Sequence, residues 1–343
     1  MTHGSTIVRV IDIPDALRAT QFKYNGETGR AFLAALPGRA AEFLERWGLR
    51  PDGAALHGMC ALVLPVIREA DGRPAALKLQ QVDEETAGEP VALRVWGEAG
   101  AGAVELLDHD PATGTMLLER LDSGRSLAGV ADDREAVRVL AELLARLSSV
   151  PAPAGCGLRR LGDIVARMLE EAPGAAEALS DEAERRLLTD CAAAVREVAG
   201  EPGDRVLHWD LHYGNVLAGG AADRGAALQE RDRERGRDQG RGGWGAADHR
   251  TAGDRWVAID PKPLVGDPGF ELFPALVNRF DAAAVRWRFD LMTEALGLDR
   301  ERERARAWTL GRLLQNGLWA VSDGERRLEP EQVEIARLLL GRG

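Results

Sequence analysis

The chain lacks several features that would place it in common protein classes. Its 343 residues include only three cysteines, Cys60, Cys156 and Cys191, and their spacing matches no metal-binding pattern. An odd number of cysteines without metal-type spacing indicates a reducing compartment, so we expect a cytoplasmic protein. The N-terminal segment has no apolar signal core, and no apolar run approaches the length that spans a membrane. We therefore expect no association with membranes.

The chain also has fewer basic than acidic residues. The chain has 44 lysines and arginines against 55 aspartates and glutamates, which gives a formal net charge of −11 at pH 7. A nucleic-acid binder would normally present a basic face, so no nucleic-acid partner is expected. The acidity suits a site for a cationic small molecule. The length is sufficient for two lobes and a sizeable core, and we expect a monomer.

Lysine is rare among the basic residues and occurs only as Lys23, Lys78 and Lys262. Lys78 lies within the apolar run 74–80, which is typical of a strand. Eleven residues later, Glu89 begins a segment with the apolar spacing of a helix. A strand lysine paired with a glutamate of the next helix is the ion pair that directs the lysine towards nucleotide phosphates. The alternative is that each residue is a solvated surface charge.

The most informative polar pattern lies in the segment 206–217. There, His208, Asp210 and Asn215 follow the order His-x-Asp-x-x-x-x-Asn between two short aliphatic runs. This order is typical of the catalytic loop of kinase-like phosphotransferases, in which the aspartate takes the proton of the attacking hydroxyl and the asparagine holds Mg²⁺. Taken alone, the three residues could also be ordinary polar residues of a loop.

Asp260 ends the apolar run 256–259, which is typical of a short buried strand. A carboxylate at such a strand end is where the second Mg²⁺ ligand of a kinase lies. Mg²⁺ needs only one or two protein oxygens besides the substrate phosphates, so Asn215 and Asp260 would suffice. The alternative is that Asp260 simply begins a turn with Pro261.

With these motifs, and with Ile259-Asp-Pro-Lys262 and the segment 266–272, the chain resembles the aminoglycoside phosphotransferases. Within that family it is similar to the streptomycin 6-kinase and hydroxyurea phosphotransferase branch, and the resemblance covers most of its length. The resemblance implies ATP and Mg²⁺ as cofactors, bound between two lobes. It also implies a protein-kinase-like α+β fold. The N-terminal lobe would be a small antiparallel sheet with one helix, and the C-terminal lobe would be larger and mainly helical.

The apolar patterns divide the chain into residues 1–120, the predicted nucleotide-binding lobe, and residues 121–343, the predicted helical catalytic and acceptor-binding lobe. Two hairpins with a helix between them are predicted in the first lobe, from strand-like runs at 59–67, 75–80, 103–108 and 115–119. A helix is predicted ahead of them at 30–47. The longer helices of the second lobe are predicted at 133–147, 181–199, 270–297 and 300–320.

Three further expectations concern the nucleotide and the catalytic loop. The backbones of Glu119 and Leu121, in the connection between the lobes, would bind the adenine edge. The loop near 56–62 would cover the phosphates with its backbone amides, although Gly58 is its only glycine. His208 is interpreted as a structural brace for the catalytic loop rather than as the general base.

The segment 219–255 is rich in Gly, Arg, Asp and Glu and offers little to bury. In the family that the chain resembles, Leu217 and Trp256 would be joined by a short hairpin. We therefore interpret the segment as a disordered insertion. The alternative is an arginine-rich arm that contacts polyanions or the substrate.

The resulting hypothesis is an ATP-dependent phosphotransferase that acts on a hydroxyl of streptomycin or a related aminoglycoside and so confers antibiotic resistance. Two alternatives remain. One is a kinase of the same fold that acts on hydroxyurea or another small metabolite, and the other is a catalytically silent nucleotide-binding protein. A cationic acceptor should face a cluster of carboxylates from the helices around 160–171 and 278–325. Asp267 and Glu271, at a predicted helix start, are interpreted as scaffold, and the alternative is that they contact the substrate.

Overall fold

The computed structural model describes the chain in two stretches, 11–220 and 255–341. The described residues form two compact units. The first unit holds the described residues before Val95 together with Val104–Leu121. The second unit holds Val95–Ala103 and all described residues after Leu121.

The stretch Val95–Ala103 differs from the predicted division, which puts it in the first lobe. Two contacts explain why it belongs to the second unit. The indole Nε1 of Trp96 donates a hydrogen bond to the Leu147 carbonyl at 3.0 Å. The Ala258 N–H donates to the Gly102 carbonyl, also at 3.0 Å. The assignment of nucleotide binding to the first lobe stays a prediction.

The first unit is built on a six-stranded sheet whose strands all pair antiparallel. Its strands are β1 (Leu49–Pro51), β2 (Leu56–His57), β3 (Ala61–Arg68), β4 (Pro74–Gln80), β5 (Leu106–Asp110) and β6 (Thr115–Glu119). They follow the order β1–β3–β4–β6–β5, and β2 pairs with the first half of β3, at Leu62 and Val63. Both predicted hairpins are confirmed, β3 with β4 and β5 with β6.

Helices precede the sheet and interrupt it. They are α1 (Asp15–Tyr24), α2 (Gly26–Arg46) and α3 (Glu89–Ala99). The predictions of α2 and α3 are confirmed, and α2 buries Phe32, Leu36 and Phe43 in the core of the unit. Helix α1 was not predicted, because it buries only Leu17 and Gln21 and so shows no helical apolar period.

The second unit is mainly helical. Its helices are α4 (Asp133–Ser148), α5 (Leu161–Ala178), α6 (Glu182–Val198), α7 (Phe273–Val277), α8 (Val285–Ala295), α9 (Arg302–Ser322) and α10 (Pro330–Leu339). Asp132 begins α4 as its N-cap, since its carboxylate accepts the N–H groups of Arg134 and Glu135. Helix α9 packs against α5 and α6, with Trp308 and Leu314 fully buried. None of the described helices is both long enough and apolar enough to cross a membrane.

Two small three-stranded sheets complete the second unit. Their strands are β7 (Asp122–Ser126), β8 (Arg159–Arg160), β9 (Arg205–Leu207), β10 (Val216–Ala218), β11 (Trp256–Ala258) and β12 (Leu264–Gly266). Strand β10 pairs with β7 and β11, and β12 pairs with β8 and β9. The loop 208–215 leads from β9 to β10, and the segment 259–263 leads from β11 to β12. Both connections join the same two sheets, so they lie side by side.

The helix predicted over 270–297 is wrong in its continuity, because the chain leaves α7 and starts again at α8. Arg279 between them has a left-handed φ of 45°. The buried guanidinium of Arg288 donates to the carbonyls of Asn278 and Arg279 at 2.6 and 3.0 Å. It also donates to the Asp133 carboxylate at 2.8 Å. The Asp133 partner lies far away in the chain, and the carbonyl contacts depend on how the chain turns back between the two helices, so the local apolar period could not reveal the break.

The predicted insertion at 219–255 lies, apart from its two ends, outside the described residues. At those ends, Ala218 pairs with Trp256 in antiparallel register. Beyond that pair, the Gly219 N–H donates to the Arg255 carbonyl at 2.7 Å. The residues that flank the insertion are therefore already joined as a hairpin would join them.

Deletion of residues 221–253 should leave the fold intact. It joins Gly220 to Asp254, and a Gly-Asp pair suits a two-residue hairpin turn between Gly219 and Arg255. Loop-closure entropy changes by only about 0.6 kcal/mol per doubling of length, and the deletion shortens the connection from 35 residues to two, about four halvings. We therefore expect the free energy of unfolding to rise by no more than about 2.5 kcal/mol. Urea denaturation followed by circular dichroism measures this change.

The control is deletion of 219–255, which removes the turn residues as well and should destabilise the protein strongly. Insoluble protein after the shorter deletion, or a loss of stability like that of the control, would contradict the prediction.

Candidate functional site

The predicted lysine–glutamate pair is formed within the first unit. The Nζ of Lys78, on β4, lies 2.7 Å from both carboxylate oxygens of Glu89, the first residue of α3. The two side chains are 5% and 1% exposed, which excludes the alternative of solvated surface charges. A buried ion pair needs further hydrogen bonds, and the Gln80 amide supplies one to Glu89 at 2.9 Å.

Gln80 is a member of this group that the sequence analysis missed. The signal for it was the period of two along a strand, which puts Gln80 on the same face of β4 as Lys78. Its side chain is buried and donates to the glutamate that holds the lysine. Together, Gln80 and Lys78 fix the Glu89 carboxylate.

The remaining nucleotide contacts predicted for the first unit stay predictions. Glu119, at the end of β6, donates its N–H to the Glu105 carbonyl, and its carboxylate accepts the Glu105 N–H, each at 3.0 Å. Leu121 is buried, and β7 begins one residue later. The proposed phosphate loop is the turn from β2 to β3, which is closed by a hydrogen bond from the Gly58 N–H to the Ala61 carbonyl at 3.0 Å.

His208 is fully buried in the second unit, and both nitrogens of its ring make hydrogen bonds. Its Nε2 lies 3.1 Å from the Ile259 carbonyl, and its Nδ1 accepts the Asp210 N–H at 3.3 Å. Because a carbonyl only accepts, Nε2 must carry the proton. Burial lowers the pKa of His208 to about 4, so the ring is neutral near pH 7. It stacks on Trp96 with ring centroids 6.0 Å apart. This imidazole therefore braces the loop and has no exposed nitrogen for a substrate.

Asp210, Asp260 and Lys262 lie together. The Lys262 Nζ is 3.5 Å from Oδ2 of Asp210 and 3.8 Å from Oδ2 of Asp260. The carboxylates are about one-third exposed, at 32% and 34%, so both can reach a ligand. Lys262 was not among the site residues predicted from the sequence. The signal that could have identified it was the rarity of lysine.

Asn215 is adjacent to Asp260 through the backbone. The Ile259 N–H donates to the Asn215 carbonyl at 2.9 Å. The Asn215 side-chain Nδ2 donates to the Asp210 carbonyl, also at 2.9 Å. This bond uses the amide nitrogen, so the amide oxygen of Asn215 is the atom that could bind a metal ion. An amide oxygen beside a carboxylate is a donor set that fits Mg²⁺. Metal binding by Asn215 and Asp260 stays a prediction.

Trp209 adopts a left-handed backbone conformation, with φ of 67°. For a bulky residue this costs on the order of 1–3 kcal/mol, and neighbouring contacts must hold it. The Trp209 N–H donates to Oε1 of Glu271 at 2.6 Å, and its indole N–H donates to the Gln315 amide oxygen at 3.2 Å. Burial raises the pKa of Glu271 to about 7. Because Glu271 accepts the Trp209 N–H, it holds the backbone of the residue next to Asp210 and is scaffold, as predicted.

Asp267 is also scaffold. Its carboxylate accepts the Gly269 N–H at 2.8 Å and the Arg304 guanidinium at 2.7 Å.

Around Trp209, the charged groups that stack on the indole are the guanidinium groups of Arg159 and Arg312, 4.5 and 4.9 Å from the ring centroid. The carboxylate cluster predicted for a cationic acceptor stays a prediction.

Glu271→Gln should change how stability depends on pH. The carboxyl has an ordinary pKa near 4.5 in the unfolded chain and about 7 in the fold, so the folded protein keeps a proton between these values. The stability from this group is complete below pH 4.5 and is lost as the pH rises towards 7. Glutamine does not titrate and still accepts the Trp209 N–H. Relative to the wild type, the variant should gain as much as about 1.4 kcal/mol per pH unit across this window.

Urea unfolding at several pH values between these limits measures the difference. The control is Glu197→Gln, which makes the same substitution at an exposed glutamate on α6. A Glu271→Gln curve that runs parallel to the wild-type curve would contradict the account of this carboxyl.

Comparison with known proteins agrees with the motifs. The family described as aminoglycoside/hydroxyurea antibiotic resistance kinase matches residues 46–324. A hydroxyurea phosphotransferase of Kitasatospora aureofaciens is 57% identical over 335 residues, which cover 97% of this chain and 87% of that protein. A streptomycin 6-kinase of Streptomyces glaucescens is 51% identical over 341 residues, which cover 97% and 98%.

Among solved structures, a thermostable mutant of the aminoglycoside phosphotransferase APH(4)-Ia superposes with a TM-score of 0.51 at 14% identity. The match covers 88% of this chain and 95% of that one, and it confirms the predicted protein-kinase-like α+β fold. Most of the chain is covered by the family match, and close relatives extend over nearly all of it. The chain therefore belongs to the aminoglycoside/hydroxyurea antibiotic resistance kinases and is a small-molecule kinase.

Proposed function

We propose that this kinase transfers the γ-phosphoryl group of ATP to a hydroxyl of streptomycin or a related aminoglycoside. The observation that carries the proposal is the grouping of Asp210, Asn215 and Asp260 by hydrogen bonds of the catalytic loop and by the shared Lys262. The buried pair of Lys78 and Glu89 supports it, because the pair holds a lysine in the form that binds nucleotide phosphates.

Each residue then has one task. Lys78, aligned by Glu89, binds the α- and β-phosphates, and the backbones of Glu119 and Leu121 bind the adenine edge. Asn215 and Asp260 would hold Mg²⁺, which when bound offsets the negative charge of the phosphates.

Asp210 acts on the acceptor. Its carboxylate aligns the acceptor hydroxyl and takes its proton as the oxygen attacks the γ-phosphorus. A new oxygen–phosphorus bond forms, and the bond from the γ-phosphorus to the bridging oxygen breaks. The electron pair of the broken bond stays on ADP. Positioning and electrostatics supply most of the acceleration, because phosphoryl transfer leaves little covalent work to the protein.

Identity to known kinases supports two acceptors. Two streptomycin 6-kinases, from Streptomyces glaucescens and Streptomyces griseus, are 51% and 49% identical to this chain. Hydroxyurea is the second candidate, favoured by the 57% identity to a hydroxyurea phosphotransferase. Phosphorylation of either compound by this chain would protect the cell that contains it.

Streptomycin and hydroxyurea can be compared directly as acceptors. Purified protein with ATP and Mg²⁺ should release ADP rapidly with streptomycin and slowly with hydroxyurea, and mass spectrometry should find one added phosphoryl group on streptomycin. Turnover of hydroxyurea alone would contradict the first acceptor and support the second. ADP release that no acceptor stimulates would contradict both.

Asp210→Asn should reduce kcat for phosphoryl transfer by about 10²–10⁴-fold, because the amide cannot take the hydroxyl proton. The affinity for ATP should change little, since Asp210 acts on the acceptor. Initial-rate kinetics and nucleotide titration measure the two quantities. Asp204→Asn is the matched control, because that side chain is 81% exposed and lies just before β9. An Asp210→Asn enzyme with most of the wild-type kcat would remove Asp210 from the reaction.

A further inference from the structure

We infer that Lys262 binds the phosphoryl group during its transfer, as a further catalytic residue of this kinase. The inference rests on the proposed function, because it takes ATP as the donor and Asp210 as the residue that aligns the acceptor. It adds a cationic contact to the γ-phosphate, beside the contact that Lys78 makes with the α- and β-phosphates.

The backbone of Lys262 is held in place. Pro261 and Pro263 flank it, so both neighbouring φ angles are fixed and Lys262 itself is restricted to extended conformations. Its N–H donates to the His208 carbonyl at 3.0 Å, which ties it to the start of the catalytic loop. The ammonium group therefore starts from a fixed point beside Asp210.

The position of the ammonium group is the main argument. Its Nζ lies 3.5 Å from Asp210, the residue that aligns the acceptor. It lies 3.8 Å from Asp260, a predicted Mg²⁺ ligand. A phosphoryl group that passes from ATP to a hydroxyl at Asp210 has to approach these two negative charges. Like charges at such distances repel strongly in a partly buried site, and a cation between them offsets the repulsion.

The choice of lysine agrees with this task. The chain has 44 basic residues and only three are lysines. Lys23 is exposed on α1, whereas Lys78 and Lys262 each contact an acidic residue of the site. An ammonium group is a compact charge that can follow a moving phosphoryl oxygen, while a guanidinium is a wide fork that would suit a bidentate carboxylate contact. Lys262 exchanges no proton or bond in the step and acts by its charge alone.

The experiment compares two ligands that differ at the γ-position. Wild type and Lys262→Met are titrated with Mg–ADP alone and with Mg–ADP plus aluminium fluoride, which mimics the phosphoryl group in transfer. Methionine is unbranched and only one atom shorter than lysine, and it removes the charge. The variant should bind ADP within about threefold of the wild type but lose about 10²-fold in affinity for the aluminium fluoride complex, and kcat should fall by about 10²–10³-fold. Lys262→Arg should recover part of both losses.

Lys23→Met is the control and should behave as wild type. Thermal unfolding checks each variant, and Lys262→Gln replaces Lys262→Met if the apolar side chain prevents folding. If the variant binds the aluminium fluoride complex as tightly as the wild type does, the inference is overturned and the proposed function stands. If the wild type binds ADP no more tightly with aluminium fluoride than without, the proposed function fails and the inference fails with it.

Discussion

The hydrogen bonds of one buried imidazole determine the geometry of the site. His208 joins the two connections between the small sheets, because its Nε2 donates to the Ile259 carbonyl and its Nδ1 accepts the Asp210 N–H. Its own carbonyl accepts the Lys262 N–H. The pKa of about 4 is essential here, since a protonated ring would carry a proton on Nδ1 and lose the Asp210 N–H. Stability from this neutral ring is present above pH 6.5 and is lost as the pH falls towards 4.

Burial acts in opposite directions on the two groups that hold the catalytic loop. It keeps His208 without its second proton and favours the protonated form of Glu271, so neither group carries the full charge that it would have in water. The charges that remain accessible are those of Asp210, Asp260 and Lys262. His208 and Glu271 hold the backbone of the loop, including the left-handed Trp209, and the partly exposed charges of Asp210, Asp260 and Lys262 are the ones to which we assign the reaction.

Local patterns were sufficient to predict much of the architecture. Strand-like apolar runs joined by turn residues predicted β3 with β4 and β5 with β6, and the motif order predicted the pairing of Lys78 with Glu89. The contacts that the sequence did not reveal are all tertiary. The gap between α7 and α8 depends on Arg288, whose partners include Asp133, far away in the chain. The place of Lys262 between two carboxylates follows from the pairing of β9 with β12 and β10 with β11, which no local pattern contains.

The proposed function requires the loop 208–215 and the segment 259–263 to form one phosphoryl-transfer site. A crystal structure of the protein with a non-hydrolysable ATP analogue, Mg²⁺ and streptomycin would test it most directly. We predict a metal ion about 2.1 Å from an Asn215 side-chain oxygen and an Asp260 carboxylate oxygen, with a streptomycin hydroxyl in hydrogen-bond contact with Asp210. A metal ion bound without either residue, or a streptomycin molecule whose hydroxyls all lie away from Asp210, would contradict the account.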